Sequence, residues 1–194
     1  ADESDGSFLL ARPSAAAVTN VEADHLENYG DLEGIHRAFE LFVDSVDHNG
    51  LLLCCADDYG ARRVAAYARS SSRRVLTYGT RDDADIVVSA IMPRATGVEF
   101  DVTGISDASK HVRVGALIGR HMALNATAAL AMAAELDLDV DTVIASWGSF
   151  GGVHRRFESH GIGGGVRIFD DYAHHPTEIA ASLEAAKAAA APGR

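Results

Sequence analysis

The sequence lacks the features of a secreted or membrane-bound protein. Its only two cysteines, Cys54 and Cys55, are adjacent, and neighbours on a strand point to opposite faces, so we expect no disulfide between them. They are interpreted as buried thiols of a reducing compartment. A signal peptide and an apolar stretch long enough to cross a membrane are both missing. These absences predict a cytoplasmic protein without a membrane partner.

Positive charge is also scarce. The chain has 17 Lys and Arg against 28 Asp and Glu, which gives a formal net charge of −11. Basic residues form no cluster larger than adjacent pairs such as Arg73-Arg74 and Arg155-Arg156, which is too little for an electrostatic footprint on nucleic acid. We therefore expect no nucleic-acid partner. An anionic substrate would have to be bound by local Arg or Lys, a metal ion or a helix N-terminus.

A phosphate-binding loop of the pattern G-x-x-x-x-G-K-[ST] is absent as well. The 194 residues begin in a polar segment without an initiator Met, and they end after a helix with no strand behind it. We therefore expect the chain to be part of a longer protein.

Alternating apolar strands and amphipathic helices predict an α/β fold. Buried strands are expected at residues 15–20, 51–55 and 75–79, with helices starting at Asp31 and at Asp57-Asp58, which indicates a mostly parallel sheet with flanking helices. Residues 85–88, 97–102 and 111–114 alternate apolar and polar side chains and predict a small antiparallel sheet. Further helices are expected at 119–136 and 140–149. We place a domain boundary near Gly152, which divides the chain into residues 1–152 and 153–194.

The densest group of reactive side chains is the segment Asp170-Asp171-Tyr172-Ala173-His174-His175-Pro176-Thr177-Glu178. It follows a flexible turn at Gly161–Gly165 and an expected strand at Val166–Phe169. It precedes an Ala-rich helix from Ile179 to Ala191, which Thr177 or His175 could cap. Two carboxylates, a phenol and two imidazoles thus lie at a strand-to-helix turn, where α/β proteins bind ligands. The alternative interpretation is a solvated loop with a good N-cap.

Three other segments combine residues suited to binding. His25 ends the run Thr19–His25, in which an imidazole beside carboxylates could hold a divalent cation or form a polar turn. His121 and Asn125 share one helix face and could contact a purine edge, or could simply belong to a capped, packed helix. Arg155-Arg156 could clamp a phosphate, or could form a surface ion pair with Glu158.

Together these motifs resemble the Mur ligases. The segment 170–178 is similar to the opening of the family's C-terminal domain, and its doubled His followed by Pro-Thr-Glu matches the alanine-adding members. The run T-N-V-E-A-D-H at 19–25 is similar to the family's metal-binding segment. Residues 152–157 resemble G-x-x-R-R-F. Residues 119–125 resemble G-x-H-N-x-x-N, except that Met122 stands where the first Asn is usual, and a thioether cannot donate a hydrogen bond.

The resemblance covers essentially the whole chain and implies a fold and an activity. Residues 1–152 would be a central ATP-binding domain without its phosphate-loop part, and residues 153–194 would begin a Rossmann-like C-terminal ligase domain. The implied reaction joins L-alanine to the lactyl carboxylate of UDP-N-acetylmuramate through an acyl phosphate, with ATP and Mg²⁺, in peptidoglycan precursor synthesis. A murein peptide ligase and a non-catalytic nucleotide-binding module are the alternatives.

The resemblance also assigns roles to single residues. His25 is the implied metal ligand. ATP binding falls to His121, Asn125, Asp170 and Arg156. Substrate binding is expected of Tyr172, His174 and Arg156, and catalysis of Asp171, His174 and His175.

Overall fold

The computed structural model describes residues 4–190, which form a six-stranded sheet, a two-stranded sheet and surrounding helices. The strands are β1 (Ala15–Val18), β2 (Leu51–Cys55), β3 (Arg74–Gly79), β4 (Ile86–Arg94), β5 (Gly97–Thr103), β6 (Lys110–Gly115), β7 (Glu158–Gly163) and β8 (Val166–Asp170). The helices are α1 (Leu26–Tyr29), α2 (Leu32–Ser45), α3 (Tyr59–Ser70), α4 (Arg120–Glu135), α5 (Val140–Ser146) and α6 (Pro176–Ala189), with 3₁₀ turns at Ser7–Leu10 and Trp147–Ser149. None of the helices within 4–190 is both long and apolar enough to cross a membrane.

The predicted α/β architecture is confirmed. The large sheet has the order β1-β2-β3-β4-β5-β6, and its first four strands are parallel. All five residues of β2 are buried, because α3 and α4 both pack against this strand. Asp31 caps α2 as expected, with its carboxylate accepting a hydrogen bond from the Gly34 N–H at 2.7 Å.

The three alternating stretches become antiparallel strands, but they do not form a separate sheet. β4 pairs in parallel with β3 through Ile86 and Val87, and β5 and β6 then continue the same sheet in antiparallel pairing. Alternation of apolar and polar residues predicts one exposed face, but it does not specify which strand lies at the neighbouring edge. The separate antiparallel sheet is instead the hairpin β7–β8.

The prediction of a flexible turn over Gly161–Gly165 is wrong for the first three of these residues, which belong to the hairpin. Gly161 to Gly163 belong to β7, and only Gly164 and Gly165, with φ of 58° and 82°, form the turn. A glycine-rich strand has too few side chains to show the alternation that predicts a strand.

Helix α6 begins earlier than expected. Its N-cap is His175 and its first residue is Pro176, so His175 rather than Thr177 is the capping position. Ala191, the predicted last residue of this helix, lies outside the described residues.

A second, small hydrophobic core attaches the C-terminal segment to the main sheet domain. Buried Phe157 stacks on Phe169 with ring centroids 4.3 Å apart, and it groups with Ile118 and with Ala185 and Ala189 of α6. This core places the C-terminal segment beside the N-terminus of α4.

Candidate functional site

A cleft of about 880 Å³ opens at the carboxyl ends of β1, β2 and β3 and is bounded on one side by the C-terminal segment. Its wall includes the loop after β1, the N-terminal turns of α4 and the first turns of α6. Of the residues predicted to form a site, the cleft is lined by His25, His121, Asn125, Arg156, Asp171 and His175. The fold therefore brings together groups that lie far apart in the sequence.

Asp170, Tyr172 and His174 do not line this cleft. Tyr172 is half exposed, with the Arg155 guanidinium 4.4 Å above its ring. The His174 ring lies edge-on to Tyr172 at 5.3 Å, and its Nδ1 is 3.1 Å from the Tyr172 carbonyl oxygen. The substrate-binding role of Tyr172 and His174 stays a prediction.

The loop between β1 and α1 is fixed by Asp58. One oxygen of this carboxylate, Oδ1, accepts the Ala61 N–H at 2.7 Å, which caps α3, and also the Val21 N–H at 3.0 Å. The first turn of α3 and this loop approach each other so closely that a Cβ at Gly60 would lie 2.2 Å from the Val21 carbonyl oxygen. The position of residues 19–25 is thus set by the start of α3.

Glu22 is a candidate functional residue that the sequence analysis missed. Its Oε2 accepts the Thr177 hydroxyl at 2.6 Å and lies 3.3 Å from Nδ1 of His175. The side chains of Glu22 and His175 are only 26% and 23% exposed, respectively. Glu22 therefore connects the loop after β1 to the first turn of α6. Its position in the carboxylate-rich run 19–25 was a signal, but nothing in the sequence separated it from Asp24 and Glu27.

His25 is the N-cap of α1 and lies in the left-handed backbone region, with φ of 53°. Its Nε2 lies 3.6 Å from the Asp24 carboxylate, and its Nδ1 lies 3.8 Å from that of Glu27. Glu22 lines the same cleft. Mg²⁺ needs only one or two protein carboxylates when phosphates and water complete its coordination, so this set of side chains fits a magnesium ion bound together with a nucleotide.

His121 is suited to recognise a neutral group. Burial lowers the pKa of its imidazole, although the nearby Asp171 carboxylate acts in the opposite direction. A neutral imidazole both donates and accepts a hydrogen bond, as the edge of a purine does. Asn125 lies one helical turn further along α4. Met122 is buried and packs in the main core, so at this position the chain has a packing residue in place of a polar one.

Asp171 and Asp57 each organise a turn at the cleft. Asp171 accepts the N–H groups of Phe157 and Ala173, both at 2.8 Å. Asp57, which the sequence analysis treated only as a helix start, accepts both the N–H and the hydroxyl of Thr80 at 2.8 Å. Arg120 lies 3.1 Å from the Asp57 carboxylate. These contacts join the end of β3 to the start of α4.

Two family models match the chain. Residues 2–133 match the Mur ligase middle domain, and residues 155–194 match the glutamate ligase domain of Mur ligases. The chain belongs to the Mur ligase family. The predicted boundary at Gly152 falls between the two matched segments. The matched segments correspond to the family's middle domain and to the beginning of its next domain.

Individual Mur ligases are similar over almost the whole chain. A UDP-N-acetylmuramate–L-alanine ligase of Paenarthrobacter aurescens is 49% identical over 98% of this chain, which spans 41% of that relative. Among solved structures, MurC of Thermotoga maritima, a UDP-N-acetylmuramate-alanine ligase, aligns with a TM-score of 0.77 and 28% identity over 97% of this chain and 41% of that one. MurF of Thermotoga maritima, solved in complex with ADP, aligns with a TM-score of 0.74 and 26% identity over 91% of this chain and 39% of that one.

Proposed function

We propose that this chain supplies part of the ATP-binding domain and the start of the C-terminal domain of a UDP-N-acetylmuramate–L-alanine ligase. The observation that carries the proposal is the cleft itself, in which Glu22, His25, His121, Arg156 and His175 meet at the carboxyl ends of parallel strands. Relatives named for this activity, at 49% and 47% identity, support the choice of substrates.

In the proposed reaction, the cleft holds the nucleotide along one wall. His121 and Asn125 would hold the base, and Arg156 would pair with phosphate oxygens, because a guanidinium binds phosphate with two parallel hydrogen bonds. Glu22 and His25 would hold Mg²⁺, which when bound supplies positive charge against the repulsion between the phosphates and the substrate carboxylate. The ATP-binding role of Asp170 stays a prediction, since this residue does not line the cleft.

Amide formation then requires two displacements. The lactyl carboxylate oxygen attacks the γ-phosphorus and ADP leaves. The amine of L-alanine next attacks the acyl-phosphate carbonyl, and phosphate leaves. His175 would take the proton that the amine loses, and the contact of its imidazole with the Glu22 carboxylate supports this role. Both oxygens of Asp171 are engaged by backbone donors, so its contribution to catalysis would be to hold the turn in shape.

A cytoplasmic location is part of the proposal. Both cysteines are buried and free, and burial raises the pKa of the Cys54 thiol to about 12. Such thiols suit a reducing compartment and take no part in the proposed chemistry.

A chimera tests the proposal. Residues 1–194 would replace the matching segment of the Paenarthrobacter aurescens ligase, and phosphate release would be measured with ATP, UDP-N-acetylmuramate and L-alanine. We expect release that requires all three substrates and that falls by at least about 100-fold in His175→Ala.

The chimera also distinguishes the alternatives, provided that a cooperative thermal melt shows it to be folded. A folded chimera that accepts a peptide but not L-alanine would indicate a murein peptide ligase. One that binds ATP without any substrate-dependent phosphate release would indicate a nucleotide-binding module. Either result contradicts the proposal.

A further inference from the structure

A second group of potential metal ligands lies on the hairpin β7–β8, outside the cleft. Glu158, His160 and Asp170 each offer one nitrogen or oxygen atom, and these three atoms all lie within 4.8 Å of one another. Within residues 4–190 this is the one set of three or more His, Cys, Asp or Glu side chains that converge so closely. None of the three lines the cleft.

The pairing of the two strands produces this convergence. Glu158 of β7 is directly opposite Asp170 of β8, which places two carboxylates side by side. The register shifts between Ser159 and Gly161, so His160 is the extra residue of a β-bulge. A bulge redirects the side chain of its extra residue, and here Nε2 of His160 lies 4.0 Å from the Glu158 carboxylate.

A fourth donor is close to the same carboxylate. Nδ1 of His154 lies 3.0 Å from Oε1 of Glu158, and the His154 side chain is 95% exposed, so it is free to reorient. Glu158 is held in place by the Arg155 N–H, which donates to its other oxygen at 2.9 Å.

The chemistry of the donors indicates which metal would bind. Two imidazoles and two carboxylates suit Zn²⁺ and neighbouring transition metals, whereas Mg²⁺ and Ca²⁺ take mainly oxygen ligands and so have little use for a second imidazole. Zinc bonds of about 2.0–2.2 Å place tetrahedral ligand atoms roughly 3.4 Å apart. Side-chain rotations that move each ligand atom by about 1 Å would bring the three atoms, now within 4.8 Å of one another, to that separation. Without a cation, two carboxylates facing each other across a strand pair repel.

The geometry points to a Zn²⁺ site formed by Glu158, His160 and Asp170, with His154 as the fourth ligand, separate from the magnesium site of the cleft. The ion would tie β7 to β8 at the end of the hairpin from which the chain enters the segment 170–178. Its binding would therefore stiffen the strand end that positions Asp171.

Zinc binding to the 194-residue chain would be measured by isothermal titration calorimetry at pH 7.5, in the presence of millimolar Mg²⁺. We expect one Zn²⁺ per chain, and His160→Ala should weaken this binding by about 10-fold or more. His111→Ala is the matched control, because His111 is exposed and lies 2.8 Å from the single carboxylate of Asp101 on another strand pair. Its zinc affinity should equal that of the wild type.

The metal geometry gives an independent measurement. Co²⁺ added to the wild-type chain should produce the intense visible absorption of a four-coordinate site, and the same addition to His160→Ala should not. The proposal is overturned by equal zinc affinity in His160→Ala and wild type, by an equal loss in His111→Ala, or by displacement of the zinc by Mg²⁺ at millimolar concentration.

Discussion

Removing the Asp58 carboxylate should destabilise the protein more than the loss of an ordinary helix cap. Asp58 Oδ1 accepts two backbone N–H groups, one from Ala61 inside its own helix and one from Val21 in the cleft loop. Asp58→Ala removes the acceptor of both hydrogen bonds. The Ala61 hydrogen bond is a local cap, whereas the Val21 bond joins segments 37 residues apart.

The two losses can be estimated separately. An Asp N-cap replaced by Ala costs about 1 kcal/mol, with a range of about 0.5–2. Val21 is 6% exposed, so water has little access to its N–H, and an unsatisfied buried donor costs about 1–3 kcal/mol. The free energy of unfolding should therefore fall by about 2–4 kcal/mol in Asp58→Ala. That is a large fraction of the roughly 5–15 kcal/mol that stabilises a typical domain.

The measurement is urea unfolding of the chain, followed by circular dichroism. Asp31→Ala is the matched control, because Asp31 caps α2 through the Gly34 N–H and is exposed. It should cost only about 1 kcal/mol. Asp58→Asn retains an acceptor oxygen and is a good N-cap, so it should stay within about 1 kcal/mol of the wild type. Hydrogen exchange at the Val21 amide should accelerate in Asp58→Ala alone.

Equal losses in Asp58→Ala and Asp31→Ala would refute this reasoning. They would mean that the Val21 N–H finds another partner or contributes nothing to stability. A large loss in Asp58→Asn would also refute it, because it would show that the charge of Asp58, rather than its acceptor oxygen, holds the loop.

The remaining predictions concern pH, the C-terminal segment and two cleft residues. Burial lowers the pKa of His36 from its ordinary value of 6.5. Just below pH 6.5, the unfolded chain therefore binds a proton at this residue more readily than the folded chain does. The free energy of unfolding should therefore decrease below about pH 6.5, by up to roughly 1.4 kcal/mol per pH unit. His36→Leu should flatten the pH dependence of the urea midpoint, and an unchanged dependence would contradict the argument. Phe157→Ala should weaken the packing of the C-terminal segment against the main domain by about 3–5 kcal/mol. Limited proteolysis of this variant should therefore remove residues 153–190 first, and cleavage of this segment no faster than of the rest would contradict the prediction. In the chimera, Asn125→Ala should raise the ATP requirement while the alanine requirement stays constant, and an alanine-specific defect would refute the assignment. His25→Ala should shift the magnesium titration to higher concentration, and a titration that overlays the wild type would exclude His25 as a ligand.

The main sheet could be predicted where local patterns determine the structure. β2 is a continuous apolar run that is buried on both faces, and Asp31 precedes a strongly amphipathic helix. Each of these signals depends on residues that are close together in the sequence. The same local information located the two segments, 19–25 and 170–178, that meet at the cleft.

The features that escaped prediction depend on long-range pairing. The contact between Glu22 and Thr177 joins residues 155 positions apart, and no pattern within either segment encodes it. The pairing of β4 with β3 was likewise not predicted, because the alternation of apolar and polar residues does not specify which strand lies beside β4. Asp170 lies outside the cleft because it belongs to β8 and pairs with Glu158 of β7. The sequence did not predict β7, because its glycines leave no alternating pattern of side chains.

Glu22 shows how one carboxylate could couple the two halves of the cleft. Both contacts from α6, the Thr177 hydroxyl and the His175 imidazole, are made to Oε2. The N-terminus of a helix carries partial positive charge and attracts an anion, so the start of α6 fixes the direction of the Glu22 carboxylate. A carboxylate has a second oxygen, which leaves Glu22 able to serve as a metal ligand while Oε2 remains bound to α6. Glu22 would then contact a magnesium ion through one oxygen and His175 through the other. Glu22→Asp, which shortens this side chain, should therefore weaken magnesium binding and also displace His175, the proposed proton acceptor.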